Sequence, residues 1–198
     1  RYMARALELA ARGRYTARPN PMVGCVLVRD SVVLGEGWHR KTGEAHAEIN
    51  ALEAAAGDAE GATAYVSLEP CSHDGKTPPC ARALIDAGIE RVVAAMQDPN
   101  PAVAGSGLKM LAEAGSEVHS GLIQEAARKL NAGFCSRFER GRPFVRLKCA
   151  ASLDGRTAME SGESQWITGK AARHDVQRLR AASGAIMTGV ATVIADDP

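Results

Sequence analysis

Two kinds of apolar pattern follow one another through the first 141 residues. In some segments apolar side chains recur every three or four positions, which is helical spacing; in others β-branched residues form the short runs typical of strands. The pattern predicts helices over 2–12, 45–57, 78–89, 107–115 and 122–141, and strands over 22–30, 31–39, 62–70, 91–99 and 116–121. A polar break between the first two strands suits a hairpin. Because strands and helices alternate, we predict an α/β fold with part of its sheet parallel.

The pattern starts again after Gly141-Arg142-Pro143. It predicts a strand and turn over 144–155, a helix over 167–184, and a strand that leads into a helix over 185–198. Two strands and one or two helices cannot close a core alone. The tail over 144–198 is therefore either docked on the first domain, 1–143, or the incomplete beginning of a second domain.

Composition narrows the class of protein. Apolar residues make up 45% and charged residues 24% of the 198 residues, which is ordinary for a globular protein. The net charge of +1 excludes a broadly basic nucleic-acid-binding surface. We find neither a membrane-spanning stretch nor a signal peptide. The five cysteines are an odd, scattered set, unlike a disulfide framework, so we expect a reducing cytoplasm, where clustered Cys and His indicate metal binding or catalysis.

The strongest chemical signal is His46-Ala47-Glu48, followed by Pro70-Cys71 and then Cys80. One imidazole and two thiolates are three zinc ligands, and they leave a fourth position for water, as in catalytic zinc sites. Glu48 is placed to carry protons in the first turn of a helix. Helix N-termini favour thiolates, which suits Cys80. The remaining three cysteines are interpreted as small buried apolar side chains, namely Cys25, Cys135 and Cys149.

Polar residues in three loops are further candidates. Asn20 lies between two prolines and could hydrogen-bond a base, although a turn-forming Asn is the alternative. His73 and Lys76 lie between the two ligand cysteines, where they would meet a phosphate or polar ring atoms unless the loop is simply solvated. Asp98 and Asn100 flank prolines at the end of a strand, where α/β folds place ligands. His39 is a weaker candidate.

These motifs together resemble the cytidine-deaminase-like zinc superfamily, whose signature is H-x-E with P-C-x-x-C. Eight residues rather than two separate Cys71 from Cys80, which departs from that signature. The phrases GEAHAEINAL, PCSHDGKTPPC, DPNP and LNAGFCSRFERGRPFVRLKCAASLDGRTA are similar to the bifunctional riboflavin-biosynthesis deaminase–reductases, the RibD/RibG family. The resemblance covers essentially the whole chain.

The resemblance implies a three-layer, mixed-sheet, cytidine-deaminase-like domain, followed by the N-terminal part of a dihydrofolate-reductase-like α/β domain. The first domain would bind Zn²⁺ and deaminate a diaminopyrimidinone ribosylamino 5′-phosphate, with Glu48 moving the protons and Asn20, His39, His73, Lys76, Asp98 and Asn100 at the substrate. The second would reduce the ribosyl group to ribityl with NADPH. Its substrate contacts would be Lys148, Ser164 and Arg180, and its NADPH contacts Ala150, Trp166, Thr192 and Asp196. No GxGxxG supports a Rossmann domain. Because the reductase part is short, we expect this chain to deaminate but not to reduce.

Two alternatives stay open, one within the same superfamily and one from another functional class. A tRNA or nucleoside deaminase would share the zinc ligands, but a tRNA enzyme would carry a basic face and P-C-x-x-C spacing. A non-catalytic zinc module would need neither an open metal position nor an adjacent Glu. We expect a small phosphorylated pyrimidine as the binding partner, no nucleic acid, no membrane, and assembly into a homo-oligomer.

Overall fold

The computed structural model describes residues 1–73 and 78–196. The chain divides into two compact units, Arg1–Phe144 and Val145–Pro198. The first unit contains five strands, β1 (Gly24–Arg29), β2 (Val32–Trp38), β3 (Thr63–Val66), β4 (Arg91–Ala94) and β5 (Glu117–Ser120). Its helices are α1 (Tyr2–Ala11), α2 (Ala47–Ala54), α3 (Cys80–Asp86), α4 (Ser106–Glu113), α5 (Gln124–Leu130) and α6 (Ala132–Arg140).

The strands form one mixed sheet in the order β2-β1-β3-β4-β5. Strand β1 is antiparallel to β2, with Gly24 opposite Trp38, and antiparallel to β3, with Cys25 opposite Val66. Strands β3, β4 and β5 run parallel. The predicted hairpin, the α/β class and the partly parallel sheet are confirmed. The carboxyl ends of β3 and β4 therefore meet at one edge, which brings the segments after Val66 and Ala94 together.

Helices cover both faces of the sheet, as three-layer packing requires. Side chains alternate along a strand, so Cys25 and Leu27 of β1 enter a core with α2, α3 and α4, while Val26 and Val28 enter a second core with α1, α5 and α6. Most of these side chains are aliphatic, as the aromatic content of 4% requires.

Helix α2 lies directly on β2 because Gly37 has no side chain. A Cβ at Gly37 would lie 2.3 Å from the carbonyl oxygen of Ala47, which is the first residue of α2. This close approach fixes the start of α2, and with it His46 and Glu48, against the sheet.

The prediction of one long helix over 122–141 is wrong, because the structure contains two helices that meet at Asn131. Asn131 has φ −105° and ψ 32°, which is not helical. Its side chain bonds to the backbone of Met22, so a long-range contact decides the break rather than local spacing.

The second unit contains α7 (Lys170–Ala181) and α8 (Val190–Asp196). The predicted helix over 167–184 is confirmed, but the strands predicted within 144–155 and 185–198 are absent from the described residues 145–196. A strand needs a neighbour to satisfy its backbone, and the described part of this unit supplies none. Val145 and Leu147 are accordingly exposed, and so is Cys149, which corrects its interpretation as a buried apolar side chain. Among the described helices, none has the length and apolar character needed to cross a bilayer.

Candidate metal centre

Three side chains from separate segments meet at one point. His46, Cys71 and Cys80 each offer one ligand atom, and these atoms lie within 4.8 Å of one another. The Nδ1 atom of His46 is 3.2 Å from Sγ of Cys80 and 3.7 Å from Sγ of Cys71. The sequence prediction that these residues converge agrees with this geometry.

The donor set and spacing fit zinc. Bonds of about 2.3 Å to sulfur and about 2.1 Å to nitrogen at tetrahedral angles place the two donor atoms about 3.6 Å apart. The observed distances of 3.2 and 3.7 Å bracket that value. Two sulfurs and one imidazole are also the donors that zinc favours over magnesium or calcium.

The fold places each donor through its backbone. His46 is the N-cap of α2, and Cys80 is the first residue of α3. Cys71 follows β3, and the backbone N–H of Cys80 donates to its Sγ at 3.3 Å. The side chain of Asn50 donates to the carbonyl oxygens of Trp38 and Ala45, at 2.9 and 3.2 Å, and so anchors the turn before His46.

The donor groups interact strongly with one another. A hydrogen bond from Cys80 lowers the pKa of the Cys71 thiol to about 4. The hydrogen bond with Cys71 raises the pKa of His46. One thiolate next to an imidazole is thus favoured even before a cation is considered.

Glu48 is buried in the first turn of α2, two residues after His46. Burial raises its pKa to about 7, and the negative charge of Cys71 acts in the same direction. A carboxyl group with this pKa exchanges its proton readily near neutral pH, which suits a general acid and base.

Asn20 and His39 lie together beside the metal ligands. The Nδ1 atom of His39 is 3.1 Å from the carbonyl oxygen of Ala45, which requires the proton on Nδ1. The amide of Asn20 then donates to Nε2 of His39 at 3.1 Å. The His39 and His46 rings pack edge to face, with centroids 5.4 Å apart. Burial lowers the pKa of His39, so its ring is neutral at pH 7.

The loop after β4 forms another side of the centre. Burial raises the pKa of Asp98, and its carboxyl group receives a hydrogen bond of 2.8 Å from the backbone N–H of Asn100. The side chain of His73 is exposed but close enough to act electrostatically on Asp98. Lys76 lies outside the described residues.

Sequence reasoning missed two residues that hold these loops. Glu69 receives hydrogen bonds from the loop after β4 and from the start of α4, and Asn131 bonds to Met22, two residues after Asn20. A charged residue directly before Pro70-Cys71, at the end of an apolar strand, is a signal that could have revealed Glu69. Asn131 has no comparable signal, because its partner is 109 residues away.

The candidates of the second unit are exposed or partly buried wherever their side chains are described. Lys148, Ser164 and Thr192 are exposed, and Ala150 and Arg180 are partly buried. Trp166 is 69% exposed and stacks under the guanidinium of Arg173, 4.1 Å from the ring centroid. The side chain of Asp196 lies outside the described part of the chain.

The mixed sheet and the His-Cys-Cys group define the first unit as a zinc-binding domain of the cytidine deaminase class. The family model for the cytidine and deoxycytidylate deaminase zinc-binding region matches residues 1–96, and the model for the RibD C-terminal domain matches residues 143–198. Along its whole length the chain is similar to the RibD riboflavin biosynthesis proteins.

Relatives match along the whole chain. The riboflavin biosynthesis protein RibD of Escherichia coli strain K12 is 62% identical over 197 residues, which are 100% of this chain and 54% of that protein. Acinetobacter baumannii RibD, form 1, matches with a TM-score of 0.94 at 58% identity, over 100% of this chain and 55% of the solved chain. A diaminohydroxyphosphoribosylaminopyrimidine deaminase/5-amino-6-(5-phosphoribosylamino)uracil reductase from Thermotoga maritima matches with a TM-score of 0.94 at 44% identity, over 100% and 57%. The chain thus spans about half the length of the relatives it matches.

Proposed function

We propose that the first unit hydrolyses the 2-amino group of 2,5-diamino-6-ribosylamino-4(3H)-pyrimidinone 5′-phosphate, giving 5-amino-6-ribosylaminouracil 5′-phosphate and ammonia in riboflavin biosynthesis. The observation that carries this proposal is the buried Glu48 carboxyl group, which lies in the first turn of α2, two residues after His46 of the three-donor cluster. The Thermotoga maritima relative named for this deaminase and reductase supports the choice of substrate.

His46, Cys71 and Cys80 would hold the zinc ion. When bound there, zinc supplies Lewis acidity that makes water a competent nucleophile at neutral pH. In the deaminase motif the Glu is not a zinc ligand and acts as the proton carrier. Cys80, whose thiol donates to Cys71 in the absence of metal, would lose its proton on binding zinc.

Glu48 moves the protons of the reaction. Its carboxylate takes the proton of the attacking water, and the carboxylic acid then protonates the ring nitrogen. After the carbon–oxygen bond has formed, the regenerated carboxylate takes the remaining proton of the added hydroxyl group and delivers it to the amine, which leaves as ammonia when the carbon–nitrogen bond breaks and the carbonyl group forms.

The neighbouring polar residues would hold the substrate. The Asn20–His39 pair presents a fixed amide and a neutral ring beside the metal ligands. Asp98 and Asn100 would bind polar groups of the base or ribose from the loop after β4. His73 and Lys76 would meet the phosphate, with Lys76 contributing a point charge.

The second unit would belong to the NADPH-dependent reductase of the intact protein, which reduces the ribosyl side chain to ribityl. Lys148, Ser164 and Arg180 would contact substrate there, and Ala150, Trp166, Thr192 and Asp196 would contact NADPH. We propose a domain boundary at residue 143; the start of the RibD C-terminal match at residue 143 supports it. Homo-oligomeric assembly, a cytoplasmic location and the lack of a nucleic-acid or membrane partner stay predictions.

Ammonia release from the diaminopyrimidinone phosphate tests the deaminase proposal. The zinc-loaded chain should release one ammonia per substrate molecule. This release should stop after treatment with a chelator and resume when zinc is returned. Cytidine and a tRNA run in parallel test the alternatives. Ammonia from either of these substrates, and none from the phosphorylated pyrimidine, would overturn the proposal. No turnover of any of the three would favour the non-catalytic module.

A further inference from the structure

Glu69 is a buried carboxylate, 4% exposed, with four backbone N–H groups directed at it. Its Oε2 accepts from Asp98 at 3.0 Å and from Gly105 at 2.9 Å. Its Oε1 accepts from Gly107 at 2.9 Å and from Leu108 at 3.3 Å. A carboxylate that receives this many N–H bonds is held in one orientation.

Three of the four donors belong to the start of α4. The N-cap of this helix, Gly105, makes no side-chain capping bond of its own, so its first N–H groups would be orphaned in a buried place. Glu69 accepts from them instead, and the positive end of the helix dipole stabilises its charge. The fourth donor, Asp98, lies in a different segment, the loop after β4 that carries Asn100.

The backbone around Glu69 ties the same segments together. The N–H of Glu69 donates to the carbonyl oxygen of Met96 at 3.0 Å, which extends the pairing of β3 with β4 toward the loop. A Cβ on Gly107 would lie only 1.8 Å from the carbonyl oxygen of Pro70. Helix α4 can therefore approach this segment so closely only because residue 107 is glycine. Ser72 and Ser106 then bond through their hydroxyl groups at 2.6 Å.

We propose that Glu69 is a positioning residue for deamination, which holds the Asp98–Asn100 loop in register with the segment that carries the ligand Cys71. Glu69 is two residues before Cys71, and one of its oxygens bonds to the backbone of Asp98. One side chain thereby sets the distance between the metal centre and the loop that would bind the base or ribose. This inference rests on the proposed function, because it assigns the loop to substrate.

The test uses the full 198-residue chain, loaded with zinc, and two variants of graded severity. Glu69→Gln leaves one acceptor oxygen for two pairs of N–H donors, and Glu69→Ala removes both oxygens. We expect KM for the diaminopyrimidinone phosphate to rise about tenfold in Glu69→Gln and further in Glu69→Ala, with a much smaller change in kcat and one zinc per chain retained.

Leu111→Ala is the matched control. Leu111 is a fully buried residue of the same helix and donates none of the four hydrogen bonds to Glu69. The control should lower Tm at least as much as Glu69→Gln while KM stays at the wild-type value. If KM rises equally in the control, or stays unchanged in both Glu69 variants, Glu69 merely caps α4 and the proposal is wrong.

Amide hydrogen exchange gives a readout that does not depend on turnover. In the wild-type chain the amides of Asp98 and Gly105 should exchange as slowly as those inside α4, and Glu69→Gln should speed exchange at Asp98. Fast exchange at Asp98 in the wild type would overturn the positioning role even if both variants fail to fold. If the wild-type chain releases no ammonia, the proposed function fails. Slow exchange at Asp98 in the wild type, accelerated in Glu69→Gln, would still establish the link between the segment that carries Cys71 and the Asp98–Asn100 loop.

Discussion

The side-chain amide of Asn131 pairs with the backbone of Met22, accepting from its N–H and donating to its carbonyl oxygen, both at 2.8 Å. The amide imitates one rung of a β-ladder between residues 109 positions apart. Asn131 also lies at the break between α5 and α6. This contact therefore couples a helix junction to the loop that presents Asn20 beside His39.

Asn131→Ala should lower the free energy of unfolding by about 2–3 kcal/mol, because two partly buried backbone groups lose their partners. Asn131→Asp keeps the acceptor but sets a buried carboxylate oxygen against the carbonyl oxygen of Met22, so it should cost at least as much at neutral pH. Urea unfolding of both variants measures the difference. Equal stability of Asn131→Ala and wild type would show that water replaces the amide.

Glu48→Gln should abolish most ammonia release, by a factor of about 10²–10⁴, because the amide cannot carry protons. Zinc content should stay at the wild-type level, as measured by metal analysis of the purified chain. The matched control is Glu53→Gln, since Glu53 is an exposed residue of the same helix. Wild-type turnover in Glu48→Gln would refute the assigned role.

Cys80→Ser should lose zinc and activity together, because Cys80 provides one of the three donor atoms. Cys149→Ser, which changes an exposed thiol outside the first unit, should leave both unchanged. Adding zinc to the metal-depleted wild-type chain should raise its Tm, since a ligand that binds only the folded state stabilises it. An unchanged Tm, or zinc retained in Cys80→Ser, would contradict the site.

The ion pair between Arg128 of α5 and Glu139 of α6 should contribute pH-dependent stability. Two parallel hydrogen bonds of 2.7 and 2.6 Å from Arg128 lower the pKa of Glu139 below its ordinary 4.5. A carboxyl group with a lowered folded-state pKa stabilises the fold above pH 4.5, and the contribution is lost as pH falls through the lowered value.

Both side chains of this pair are more than a third exposed, so the contribution should be below about 1 kcal/mol and smaller in high salt. The measurement is the difference in unfolding free energy between wild type and Glu139→Gln, followed from pH 7 to pH 3. The difference should shrink toward acid. A difference that does not change with pH would mean that the pair acts through packing alone.

The chain of 198 residues should oxidise no NADPH in the presence of the deaminated product. Described residues 145–196 form two helices and no strand, and the apolar side chains of Leu147 and Met187 are exposed, so this part offers no packed core to hold a dinucleotide. The absorbance of NADPH measures its oxidation directly. Oxidation that depends on product would overturn this expectation.

The sequence determined every strand of the first unit and the three metal donors. The short apolar run of β1 and the helical spacing in α1 are local properties, so both elements could be predicted without tertiary contacts. The donors His46, Cys71 and Cys80 were found because their residue types and their places at element ends carry the chemistry by themselves.

The features that depend on long-range contacts were decided only by the tertiary structure. The helix break at Asn131 depends on Met22, and the fixed position of Asp98 depends on Glu69; neither partner is a neighbour in sequence. The strands predicted after residue 143 failed for the same reason, since a strand forms only where another strand satisfies its backbone. The sequence by itself thus determined which elements the first unit could form and which atoms could bind zinc. Only the fold decided which loops are held around those atoms, because that depends on hydrogen bonds between distant residues.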